Sequence, residues 1–159
     1  MDKQYMRIAL REAKKAFDAG EVPVGAVVVD REGRVIGRGH NQVESLQDAT
    51  AHAEIIAIGA ASNALGSWRL EGATLYSTLE PCTMCAGALV LSRIDRLVFG
   101  AFDPKAGACG SLQNIPQDTR LNHLVPISAP VLEDECGGLL VSFFRALRKT
   151  RNGPTEKQG

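Results

Sequence analysis

The chain has 159 residues, 45% of them hydrophobic, enough apolar material for one domain with a proper core. Only 5% are aromatic, so that core must be built mainly from Ala, Val, Leu and Ile. The 18 Lys and Arg are matched by 18 Asp and Glu, which argues against a binder that grips nucleic acid by bulk positive charge; any RNA contact has to come from a local patch and a shaped pocket.

Tyr5, Met6, Ala9, Leu10, Ala13, Ala16 and Phe17 share one face at helical spacing, with Asp2 placed to cap the helix and Gly20 to stop it. Residues 24–30 are nearly all apolar, as in a strand covered on both faces. Arg31, Glu32 and Gly33 form a tight turn into a second strand over 35–39, making a hairpin. A polar loop over 41–50 precedes a second helix that His52 opens and that runs through Ile55, Ile56 and Ile58. A third strand over 74–78 leads to Pro81, which starts a helix reaching about Ser92. A fourth strand over 96–100 and a short fifth over 125–128 follow. The last helix spans 132–149, with Leu139, Leu140, Phe143, Phe144 and Leu147 on one side. After the hairpin, helices and strands alternate, so the expected class is α/β, a sheet between helices.

The domain is expected over residues 1–151, with the polar segment 152–159 as a flexible tail. Residues 1–10 lack a signal-type apolar stretch, and no run approaches the roughly 18–20 apolar residues that cross a membrane. Of four cysteines, Cys82 and Cys85 have metal-ligand spacing, whereas Cys109 and Cys136 stand alone as buried thiols. That pattern is unlike a secreted disulfide framework, and the expectation is a soluble, cytoplasmic protein without membrane contact.

Two short runs carry the chemistry: Ala51-His52-Ala53-Glu54 and Pro81-Cys82-Thr83-Met84-Cys85. They supply one imidazole, two thiolates and a spare carboxylate. Three zinc ligands, His52, Cys82 and Cys85, leave one position open for water, whose pKa zinc lowers to about 7. Glu54 is then the proton carrier, from water to a ring nitrogen of the substrate, as an exocyclic amine leaves as ammonia. Cys82 and Cys85 meet on one side of a helix turn. His52 and Glu54, two apart, converge only if His52 sits at an irregular first turn. The residues leave two other readings open: a redox Cys-x-x-Cys pair, or a structural zinc closed by a further cysteine such as Cys109.

The two runs match the H-x-E…P-C-x-x-C signature of nucleobase-acting zinc deaminases. From residue 21 to about 148 the chain more narrowly resembles the bacterial tRNA-specific adenosine deaminases of the cytidine-deaminase-like superfamily. The matching segments are 21–29, 50–55, 73–88, 92–94 and 98–101, then Asp103, Lys105, Gly107, 110–112, Asn122, His123 and 134–136. The resemblance implies a three-layer α/β/α fold with a five-stranded mixed sheet, and a homodimer with one Zn2+ per subunit. It also implies hydrolytic conversion of adenosine to inosine at the wobble position of a tRNA anticodon, with an arginine tRNA as the expected substrate.

Substrate roles follow from the same resemblance. Asn41 matches the residue that hydrogen-bonds an extruded base, Ala53 a backbone contact, and Val24 and Leu79 the pocket walls. Asp103, Asn122 and His123 match groups that hold the anticodon stem-loop, with Phe144 and Arg148 on the last helix. Arg145, Arg148 and Lys149 there either meet phosphate or are a solvated helix end stabilised by the helix dipole. The alternative activity is deamination of a free base or nucleoside (guanine, cytosine or cytidine), which would use the same four zinc-site residues.

Overall fold

The computed structural model describes residues 1–151; the expected tail, 152–159, lies outside the described residues. Its strands are β1 (Gly25–Val29), β2 (Val35–His40), β3 (Thr74–Leu79), β4 (Arg96–Ala101) and β5 (Ile127–Ser128), arranged in one sheet in the order β2-β1-β3-β4-β5. β1 is antiparallel to both β2 and β3, while β3–β4 and β4–β5 are parallel, so the sheet is mixed, as expected.

Two apolar layers sandwich this sheet, and the period-two alternation of strand side chains assigns residues to each. Ala26, Val28, Leu75, Leu97 and Phe99 pack with Ala53, Ala57 and Ala61 of α3 (Ala53–Leu65) and with Ala86 and Leu89 of α4 (Thr83–Leu91). Val27, Val29, Tyr76 and Val98 meet Met6 and Ala9 of α1 (Asp2–Asp18) and Cys136 of α5 (Glu133–Arg151). β1 is buried at every residue, which is why its sequence is an unbroken apolar run. The layer of α3 and α4 positions the site. Gly37 and Gly39 of β2 sit where a methyl would overlap the backbone carbonyls of Ala57 and Ala53, so only glycine lets α3 lie this close.

Several local expectations give way to tertiary contacts. Met1, not Asp2, is the N-cap of α1; the Asp2 carboxylate instead accepts from Arg96 at 2.6 and 2.9 Å and from the Tyr76 hydroxyl at 2.9 Å. The loop over 41–50 contains a one-turn helix, α2 (Val43–Leu46), capped from afar by Glu21, whose carboxylate accepts the N–H groups of Glu44 and Ser45. A 3₁₀ turn, Ile115–Gln117, interrupts the segment before β5, and the Val125 N–H bonds the Pro116 carbonyl, so β5 is shorter than expected. On α5, Phe143 packs edge-on against Phe17 with ring centroids 5.8 Å apart, but Phe144 and Leu147 are exposed. Among the described residues, no helix is long and apolar enough to cross a membrane.

Candidate active site

Two helix N-termini converge beside the carboxyl end of β3, the edge at which open α/β sheets place their sites. His52 is the N-cap of α3, with extended φ −78° and ψ 150°, and Glu54 lies in the helix's first turn. This is the irregular first turn that convergence of the two side chains requires. The next helix starts at Thr83 rather than Pro81: Cys82 is the extended N-cap of α4, and Cys85 is buried in its first turn. His52 Nδ1 comes within 3.5 Å of Cys82 Sγ and 3.6 Å of Cys85 Sγ, and all three donor atoms lie within 4.8 Å of one another.

That triangle fits zinc. Tetrahedral bonds of about 2.3 Å to sulfur and 2.0–2.1 Å to nitrogen set each S···N edge at roughly 3.5–3.6 Å. No fourth Cys, His, Asp or Glu joins the cluster among the described residues. Cys109 is turned away, its thiol donating to the Pro81 carbonyl at 3.7 Å, so it does not close the cage.

The electrostatics suit a cation and a proton carrier. Hydrogen bonds from Cys85 and His52 draw the Cys82 thiol down to about 3, helped by the Cys85 backbone N–H at the helix N-terminus. The His52 imidazole is raised, chiefly by its bond to Cys82. Burial pushes Glu54 up to about 7, and the negative Cys82 adds to the rise. A carboxyl held there both takes and returns a proton at neutral pH.

A cavity of about 250 Å³ opens over the cluster, smaller than the roughly 300–1,000 Å³ clefts that take drug-sized ligands. Val24, Asn41, Ala53, Leu79 and Asp103 line it beside His52, Glu54 and Cys82, with Cys85 buried behind. The Asn41 amide donates to the Val22 carbonyl at 3.1 Å and accepts the Val43 N–H at 3.2 Å, which leaves one N–H and one lone pair for a ligand. Asp103 is half-buried and caps its own turn, accepting the N–H groups of Lys105 and Ala106.

Four of the residues singled out in the sequence lie elsewhere. The His123 ring bonds the Ile94 carbonyl at 2.7 Å, just before β4 begins and so at the opposite end of that strand from the cavity. Asn122 lines a separate hollow with Trp68, Leu91 and Arg120. Phe144 and Arg148 are on the exposed side of α5. Conversely, Val22, Glu80 and Ala106 line the cavity and are not among the candidates chosen from sequence. Glu80 had a legible signal: an acid set between a buried strand and Pro-Cys. Burial works to raise its carboxyl, but hydrogen bonds from Ser111 and from the N–H groups of Asp103, Ser111 and Cys109 outweigh it and hold it below the ordinary range.

Comparison with known proteins accords with this geometry. The cytidine and deoxycytidylate deaminase zinc-binding region matches residues 1–101. A tRNA-specific adenosine deaminase of Bacillus subtilis (strain 168) is 57% identical over 150 residues, 94% of this chain and 92% of that protein. One from Aquifex aeolicus (strain VF5) is 52% identical over 93% of this chain and 97% of its own length. A solved structure from work on A-to-I editing by tRNA:A34 deaminases at the wobble position of transfer RNA superposes with a TM-score of 0.82. It is 46% identical, covering 86% of this chain and 98% of that one.

Proposed function

The chain belongs to the tRNA-specific adenosine deaminases, within the zinc-dependent cytidine and deoxycytidylate deaminase family, and on that footing we propose that it converts adenosine to inosine at the wobble position of a tRNA anticodon, with an arginine tRNA as substrate. The observation that carries the chemistry is the three-donor cluster with a buried carboxyl beside it in a base-sized cavity.

In this reading His52 Nδ1 and the sulfurs of Cys82 and Cys85 hold one zinc ion per subunit. When bound, zinc lowers the pKa of water to about 7 and so supplies a nucleophile at neutral pH. Glu54 takes the water's proton and delivers it to N1 of the purine as oxygen adds to C6. It then assists departure of the 6-amino group, so that adenosine and water become inosine and ammonia. Asn41 hydrogen-bonds the extruded base, the Ala53 backbone meets its edge, and Val24 and Leu79 close on its faces and exclude water. Asp103, at the rim, takes the ribose 2′-hydroxyl, the group that tells RNA from DNA.

The homodimer gives the remote residues a place. Trp68, Leu91 and Leu121 are exposed apolar side chains around one hollow that Asn122 also lines. A face of this kind is suited to a second copy of the chain. It would bring Asn122 and His123 to an intersubunit RNA surface, with Phe144 and Arg148 on α5 meeting the stem-loop. The test is inosine detection across defined anticodon stem-loops, with free guanine, cytosine and cytidine in parallel. Inosine in the RNA with the free compounds untouched is expected; turnover of free bases alone would transfer the chain to the other activity.

A further inference from the structure

A buried carboxylate next to the metal cluster has no part in the chemistry above. Glu80 is 2% exposed and follows directly on β3, two residues before Cys82. Its oxygens are fully engaged by the loop over 103–111. Oε1 accepts the Asp103 N–H at 3.0 Å and the Ser111 hydroxyl; Oε2 accepts the N–H groups of Cys109 at 3.0 Å and Ser111 at 2.9 Å. A second feature was built around the same group. Gly107 lies against the Glu80 carboxyl, and a methyl there would overlap it.

These contacts are one-directional. The backbone N–H groups of Asp103, Cys109 and Ser111 need acceptors, and an ionised carboxylate is acceptor-only. Glutamine, of the same size, must turn its NH2 toward at least one of those donors. The Glu80 main chain is tied separately, its N–H donating to the Ala101 carbonyl at 2.8 Å, so a side-chain change need not disturb Cys82.

We infer that Glu80 is a positioning residue for RNA recognition: its carboxylate fixes the 103–111 loop so that Asp103 stands at the mouth of the cavity. The inference rests on the reading of Asp103 as a ribose contact.

The test compares Glu80→Gln and Gly107→Ala with the unaltered, zinc-loaded protein. In Glu80→Gln, amide exchange at Asp103, Cys109 and Ser111 should accelerate about tenfold or more, the consequence of losing buried hydrogen bonds. KM for an anticodon stem-loop should rise about tenfold, with kcat and zinc content close to those of the unaltered protein. Gly107→Ala, which displaces the same carboxyl, should give the same pattern, and the two substitutions together should add little. Unchanged loop exchange, an unchanged KM, or loss of zinc in Glu80→Gln each overturns the inference. Absence of RNA turnover by the unaltered protein is a different result: it removes the functional reading itself, and the recognition role with it.

Discussion

The floor of the cavity and its rim are held in place by different means. At the floor, His52 and Cys82 are N-caps of helices packed on the sheet, so their positions follow from backbone that the whole core stabilises. At the rim, Asp103 sits in a loop whose N–H groups at Asp103, Cys109 and Ser111 are held by the buried Glu80 carboxylate, with Ala108 bonded to the Pro81 carbonyl beside it. On the proposed function, chemistry that tolerates little displacement stands on rigid elements, and recognition of a deformable RNA on a loop. Changes at the floor should therefore abolish function, and changes at the rim should weaken substrate use while sparing the metal.

The largest effect should come from Cys82→Ala: one ligand of three is gone, so zinc measured by mass spectrometry falls far below one per subunit and inosine formation is lost. Retention of full stoichiometry would mean that the cluster is not the metal site. Glu54→Ala should keep the metal yet lower turnover by about 10²–10⁴-fold, the range for a lost acid–base group. A variant that lost metal together with activity would make Glu54 part of the cage. Moving to the rim, Asp103→Ala should leave zinc content unchanged, lower stability only slightly through the lost turn cap, and lower kcat/KM on the stem-loop about tenfold, as for one lost polar contact. An activity equal to the parent's would remove Asp103 from the recognition set.

The smallest expected effect lies away from both regions, at the Asp2–Arg96 pair that fastens α1 to β4. The Arg96 guanidinium holds the Asp2 carboxyl below its usual 3.8 against a smaller opposing effect of burial, and the Tyr76 hydroxyl lowers it further. A depressed folded-state value stabilises the protein above pH 3.8, and that contribution fades as pH falls through the folded value. Asp2→Asn should thus cost about 1 kcal/mol at pH 7, as for a partly exposed ion pair, and nothing in strong acid. Denaturant melts at the two pH values measure the difference; an equal cost at both would mean that the bond, not the charge, matters.

How much of this was legible depended on the range of the interactions involved. The buried β1, the α3 start and the presence of α4, though not its first residue, were readable because apolar runs, proline and metal-ligand spacing are local signals. Even the irregular turn at His52 followed from two side chains having to converge across one residue. The caps were less readable. Asp2 has the look of an N-cap, but a guanidinium 94 residues away outcompetes the helix end for its carboxylate. α2 was invisible because its cap, Glu21, is 23 residues upstream. The stripe on α5 was half right, since periodicity reports which side chains align and not which find a partner; Phe143 meets Phe17, while Phe144 and Leu147 stay exposed.

The residue types by themselves set out what chemistry is possible: an imidazole, two thiols and a carboxylate at these spacings offer three metal ligands and a proton carrier, with a redox pair or a closed structural zinc as the other readings. Only the tertiary structure decided which groups share the cavity. It brought Asp103 and Glu80 to it and left Asn122 and His123 at the far end of β4. The physical reason is that ligand spacing is a property of one helix turn, whereas the placement of a loop depends on backbone donors finding acceptors tens of residues away.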